Sequence, residues 1–80
     1  MKKVILYSSA DSVYCGVARD FFKKHKIKFE ERRVDLDDEA MEELLRLVPD
    51  DGVPTIVIDG KIHKYFDEAE LRNIFKIKSV

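Results

Sequence analysis

The chain has 80 residues, 45% of them hydrophobic and 39% charged, a balance that buries one core, leaves no room for two, and excludes a disordered chain. Fifteen Lys and Arg against sixteen Asp and Glu give a formal charge of -1, so no basic field exists for nucleic acid or an acidic membrane, and neither is expected as a partner. The single cysteine, Cys15, has no intramolecular partner and is expected as a free thiol in a reducing compartment.

After Met1-Lys2-Lys3 come only four apolar residues, Val4 to Tyr7, and then Ser8 and Ser9. That is far short of a signal sequence or a membrane span, and a cytoplasmic protein with one domain over residues 1–80 is expected. The same short run, bounded by serines, reads as a strand buried on both faces in the middle of a sheet. From Val13 to about His25 the pattern is helical, with Val17, Ala18, Phe21 and Phe22 on one face and Arg19, Lys23 and Lys24 on the other. Asp11 and Ser12 both suit its N-cap, and Lys23, Lys24 and Lys26 complement its C-terminal dipole.

Ile27 to Leu36 reads as a strand whose alternation changes phase between Glu30 and Arg33, which implies a bulge or an edge position. Asp37, Asp38 and Glu39 then place negative charge in a first helical turn, and Met41, Leu44, Leu45 and Val48 follow at helical spacing until Pro49. Thr55 to Ile58, Asp59-Gly60 and Lys61 to Tyr65 read as a hairpin with a two-residue turn. Asp67, with Glu70 three residues on and Leu71, Ile74 and Phe75 behind, opens a capped final helix. The expected architecture is α/β, order βαβαββα: a parallel pair joined by a helical crossover, extended by an antiparallel hairpin.

Three segments carry a more specific pattern. Tyr7 to Cys15, Tyr-Ser-Ser-Ala-Asp-Ser-Val-Tyr-Cys, resembles the strand, loop and active-site turn of a glutaredoxin, where the family has Cys-Pro-Tyr-Cys. Gly52-Val53-Pro54-Thr55-Ile56 is similar to the family's Val-Pro segment, and Asp59-Gly60 with Tyr65-Phe66-Asp67 resembles the hairpin and Gly-Phe-Asp turn beyond it. The resemblance covers nearly the whole chain. It implies a thioredoxin-like fold, a four-stranded mixed sheet flanked by three helices, and thiol-disulfide exchange with glutathione as co-substrate or with protein disulfides. A monomer is expected, since no long apolar stripe is left over.

Position by position, the resemblance places Ser12 on the attacking cysteine, Val13 on the proline, Tyr14 on the tyrosine and Cys15 on the resolving cysteine. A thiol at a helix N-terminus lies near unpaired N–H groups and the positive dipole end, which lowers its pKa from about 8.5 and supplies the thiolate that attacks disulfides. A serine hydroxyl gains nothing comparable, so the chain as written is expected not to turn over. Ser12 either replaces cysteine or selenocysteine, or is native to a domain that has lost redox chemistry. On residue type alone Ser12 is a good N-cap and Cys15 a small buried hydrophobe.

The resemblance further implies a cis Val53-Pro54 peptide that offers the main chain of Val53 to a ligand's cysteine, with Tyr14 and Phe66 in the same groove and Asp67 at the charged end of glutathione. Some positions depart from the family. Ser9 stands where many glutaredoxins have lysine, Asp50 and Asp51 where basic residues are common, and Lys64-Tyr65 where residues are small. An anionic ligand is repelled by Asp50 and Asp51, while Lys64 offers compensating charge. A donor reduced by a thioredoxin reductase is the alternative within the fold, and a redox-inactive binding module the alternative outside it. His25 and His63 lack ligand partners at zinc spacing and read as surface residues. The acidic run Asp37 to Glu43 reads as a solvated helix face, no metal is expected, and the cluster-binding cysteine of iron-sulfur relatives is replaced by Ser12.

Overall fold

The computed structural model describes residues 2–50 and 52–77. Its elements are β1 (Val4–Ser8), α1 (Val13–Lys24), β2 (Glu30–Arg33), α2 (Asp38–Leu47), β3 (Thr55–Ile58), β4 (Lys61–Lys64) and α3 (Glu68–Ile74). The four strands form one mixed sheet in the order β2-β1-β3-β4, with β1 parallel to β2 and antiparallel to β3, and β3 antiparallel to β4. This is the thioredoxin-like architecture implied by the sequence.

Alternation along the two central strands distributes apolar side chains to both faces of the sheet. Val4 and Leu6 of β1 join Ile56 and Ile58 of β3 under Ala18, Phe21 and Phe22 of α1 and Leu71 of α3. On the opposite face Tyr7 and Val57 pack with Val34 and with Ala40, Leu44 and Val48 around α2. Val4 to Tyr7 of β1 and Ile56 to Ile58 of β3, the central strands between the two layers, are therefore continuous apolar runs.

Val17 and Leu45 depart from expectation, since they are 39% and 43% exposed. The buried seam of α1 runs through Cys15, Ala18, Phe21 and Phe22, and Val17 lies about 100° around the helix from its centre. Leu45 has the same offset from the seam of α2.

The second strand is shorter than Ile27 to Leu36. Helix α1 ends in a Schellman turn: Ile27 N donates to Phe22 O at 2.8 Å, Lys26 N donates to Lys23 O at 3.2 Å, and Lys26 has φ 56. Ile27 then packs on the core as part of the cap, not as a strand residue. At the other end Leu36 N and Asp37 N both donate to Arg33 O, so the chain turns after β2 and leaves Leu36 74% exposed.

Asp37 caps α2 by accepting from Glu39 N and Ala40 N. The acidic run is only partly a solvated face, because Glu43 is half-buried and accepts from Tyr7 Oη at 3.1 Å and Arg32 Nη2 at 2.9 Å. The hairpin turn has φ 49 at Asp59 and φ 83 at Gly60, as a two-residue turn of this hand requires. Tyr65, at φ 64, leaves β4 one residue early.

Register decides what converges. Thr55 lies opposite Tyr7 on one side and Lys64 on the other. The loop after β1, the Val53-Pro54 segment before β3 and the Tyr65 to Asp67 turn after β4 therefore emerge at one end of the sheet.

Candidate functional site

Ser12 is the N-cap of α1, half-buried, with extended backbone (φ -102, ψ 119) and no side-chain cap hydrogen bond. Its neighbours are fixed by β2. Ala10 N donates to Asp35 Oδ2 at 3.2 Å, and Asp35 is gripped by Arg33 at 2.8 and 2.6 Å. The Arg33 guanidinium lowers the Asp35 carboxyl to about 2. Ser9 Oγ donates to the Asp11 carboxylate, closing the loop on itself.

Beside Ser12 lies a cavity of about 550 Å³ lined by Ser9, Val13, Gly16, Arg19, Glu31 and Arg33, among others. Its polar wall is the ion pair of Arg19 with Glu31, at 2.9 and 3.1 Å from Nε and 2.5 Å from Nη2. Glu31 also accepts from Ser8 Oγ at 2.6 Å. Arg19 first, and then the Ser8 hydroxyl, hold the Glu31 carboxyl below the usual carboxylate range. This pair is absent from the sequence reading, where Arg19 belonged to the solvent face of α1; the usable signal was the opposite charge of Glu31 on the next element.

Cys15 lies in the first turn of α1 and is wholly buried. Tyr14, next to it, is 63% exposed. It turns instead toward a groove of about 290 Å³ that it lines with Val53, Pro54, Tyr65 and Phe66. The Val53-Pro54 peptide is cis. Pro54 O accepts from Tyr65 N at 2.7 Å, and Thr55 Oγ1 donates to Gly52 O at 2.6 Å, so both flanks of this segment are tied down. Phe66 also meets Phe21 edge-on at 5.7 Å, which anchors the groove to the core.

Asp67 caps α3 by accepting from Glu70 N at 3.2 Å. It stands next to Phe66 in the chain but does not line the groove. Lys64 Nζ lies 3.1 Å from Asp50 Oδ2, so these two charges compensate each other; Asp51 lies outside the described residues.

Both histidines are packed rather than free on the surface. His25 packs against Phe21 with its ring tilted, centroids 4.6 Å apart, and its Nε2 is buried. The His63 side chain is 10% exposed, and its Nδ1 lies 2.5 Å from Glu70 Oε1, so Glu70 reaches back to β4 instead of completing a capping box. Among the described residues no group of three or more His, Cys, Asp or Glu is placed to hold a metal ion. No helix among them is long and apolar enough to cross a membrane.

The family model for glutaredoxin matches residues 4–63. The chain belongs to the glutaredoxin family. It is 31% identical over 71 residues to a glutaredoxin-like 8.6 kDa protein encoded in a rubredoxin operon of Clostridium pasteurianum, covering 89% of this chain and 95% of that one. The crystal structure of a mutant thioredoxin-like protein superposes with a TM-score of 0.82 at 31% identity, covering 98% of this chain and all of that one. A buckwheat glutaredoxin in complex with glutathione shares the fold at 18% identity, with a TM-score of 0.72 over 94% of this chain and 71% of its own. Glutaredoxins as a family are thiol-disulfide oxidoreductases that work on glutathione or protein disulfides.

Proposed function

We propose that this chain carries a glutaredoxin-type thiol-disulfide exchange site in one cytoplasmic, monomeric domain over residues 1–80. Position 12 is the point of attack, Cys15 the resolving thiol, and Tyr14, Val53, Pro54, Phe66 and Asp67 seat glutathione or the cysteine-bearing segment of a protein. With serine at position 12, the chain holds such a ligand without turning it over. The observation that carries this reading is the placement of Ser12: an N-cap whose side chain caps nothing, at the mouth of a cavity and two residues from a groove residue.

The chemistry asks for a sulfur at that atom. A thiolate at position 12 bonds to one sulfur of a disulfide, the old S–S bond breaks, and the other sulfur leaves as a thiolate that takes a proton from solvent. Cys15, or a second glutathione, then attacks the mixed disulfide and releases the bound thiol. The unpaired N–H groups and dipole of α1 favour the thiolate form of such a nucleophile; a serine hydroxyl stays protonated.

Two observations support narrower readings. The only cysteine, Cys15, is wholly buried, which favours a redox-inactive binding module for the chain as written. Lys64 is engaged by Asp50, which favours a protein reductase over glutathione as the natural donor.

The test is glutathione-dependent reduction of a mixed disulfide of glutathione and mercaptoethanol. The Ser12→Cys variant is expected to turn over at least about a hundredfold faster than the unchanged chain, the scale of losing a covalent nucleophile. Comparable turnover by the unchanged chain would assign attack to Cys15 and overturn the proposal. Inactivity of both would leave the binding module.

A further inference from the structure

We propose that Asp50, Lys64 and Tyr65 form a strap across one end of the groove that sets its substrate class, admitting neutral or cationic disulfides and disfavouring anionic ones. The inference rests on the exchange reading above and specifies the substrate of that site.

Several contacts make the strap. Lys64 Nζ lies 3.1 Å from Asp50 Oδ2, while Asp50 Oδ1 accepts from Gly52 N at 3.4 Å. The Tyr65 ring rests on Gly52, so closely that a Cβ there would meet its Cε1 and Oη at 3.4 Å. Tyr65 N is bonded to Pro54 O. The segment before β3 and the end of β4 are thus joined by charge, by ring packing and by main chain.

Electrostatics follow from this arrangement. The groove's lining side chains, Tyr14, Val53, Pro54, Tyr65 and Phe66, carry no charge. Lys64 adjoins that lining in the chain, and its charge is answered by Asp50. The Lys64 hydrogen bond in turn holds the Asp50 carboxyl below the usual carboxylate range, so the pair stays ionised. Asp67 follows Phe66 and adds negative charge at the head of α3. Among the described residues a ligand carboxylate therefore finds no cation lining the groove, whereas an ammonium or an uncharged apolar segment meets aromatic faces, with the Asp67 carboxylate next to Phe66 in the chain.

The experiment uses the Ser12→Cys variant and three small disulfides of similar size: cystamine, hydroxyethyl disulfide and dithiodipropionate, which are dicationic, neutral and dianionic. Thiol release is measured for each and divided by the rate of the same disulfide with free cysteine. Cystamine is expected to exceed dithiodipropionate by about tenfold, as charge pairing near a surface allows. Adding Asp50→Asn keeps an acceptor for Gly52 N and releases Lys64, so the dianion-to-neutral ratio is expected to rise about fivefold. Adding Lys64→Gln as well is expected to abolish that rise. Ratios taken within one variant cancel any loss of folded protein. An unchanged ratio in the Asp50→Asn variant, or a rise that survives Lys64→Gln, overturns the strap. Absence of thiol release from all three disulfides overturns the exchange reading, and the strap with it.

Discussion

Three residues occupy helix N-caps, and they are not equivalent. Asp37 and Asp67 each accept a backbone N–H with their side chains, whereas Ser12 accepts none. Asp37→Ala is therefore expected to lower stability by about 1 kcal/mol in urea titrations, and Ser12→Ala by no more than about 0.3 kcal/mol. A loss above about 1 kcal/mol for Ser12→Ala would return that residue to a capping role. The carboxylates beside Ser12 give a pH signature. Both Glu31 and Asp35 are held below their ordinary values of 4.5 and 3.8, Asp35 at about 2. Their folded values are depressed, so the stability they confer is present above the ordinary values and lost as pH falls through the folded ones. The urea midpoint is expected to be flat from about pH 7 to 5 and to fall below about 4.5, with Asp35 contributing between 3.8 and about 2. Glu31→Gln should lower stability at neutral pH and flatten the acid slope; an unchanged slope would remove Glu31 from the account. Val53, Pro54 and Phe66 of the groove were legible in the sequence because they sit in local motifs, whereas Asp67 of the same motif caps α3 and does not line the groove. The Arg19 and Glu31 pair was not, because it depends on how α1 lies against the β2 edge.

At the scale of elements, two helices end in the same way. In α1 the turn is closed by Ile27 N to Phe22 O, and in α3 by Ile77 N to Arg72 O at 2.8 Å, with Lys26 and Lys76 both at φ 56. Glycine is the usual occupant of that left-handed position, and a lysine there carries backbone strain of about 1 kcal/mol. Lys26→Gly and Lys76→Gly are each expected to raise stability by about 0.5 kcal/mol, part of the relief being offset by the greater freedom of glycine in the unfolded chain. Destabilisation by either would mean that the lysine side chain contributes more than its backbone costs. These turns also explain why the second strand was overestimated. Ile27 and Phe29 are apolar because they pack on the core beside the end of α1, and a strand is distinguishable from such a cap only when the turn before it is known. The hairpin was legible but for its last residue, Tyr65, because Asp59-Gly60 fixes both register and hand.

Over the whole molecule, strand order gives the site its shape. The central position of β1 and the antiparallel hairpin were readable from a continuous apolar run and a two-residue turn. The lateral order β2-β1-β3-β4, which brings position 12, Pro54 and Tyr65 to one end, has no local signature. It follows from packing: α1 and α3 share one face of the sheet, and α2 takes the other. With the sheet, the groove and a buried Cys15 in place, the proposed reading makes a thiol at position 12 the group this chain needs for exchange. The most direct test exposes the unchanged chain and the Ser12→Cys variant to the neutral hydroxyethyl disulfide and maps the adduct by mass spectrometry of the intact protein and its peptides. The expected result is a mixed disulfide at position 12 of the variant, or the disulfide between position 12 and Cys15 to which it resolves, and no modification of the unchanged chain, whose Cys15 is buried. Equal modification of Cys15 in both proteins, or a variant no more reactive than free cysteine, would contradict the claim that position 12 is the point of attack.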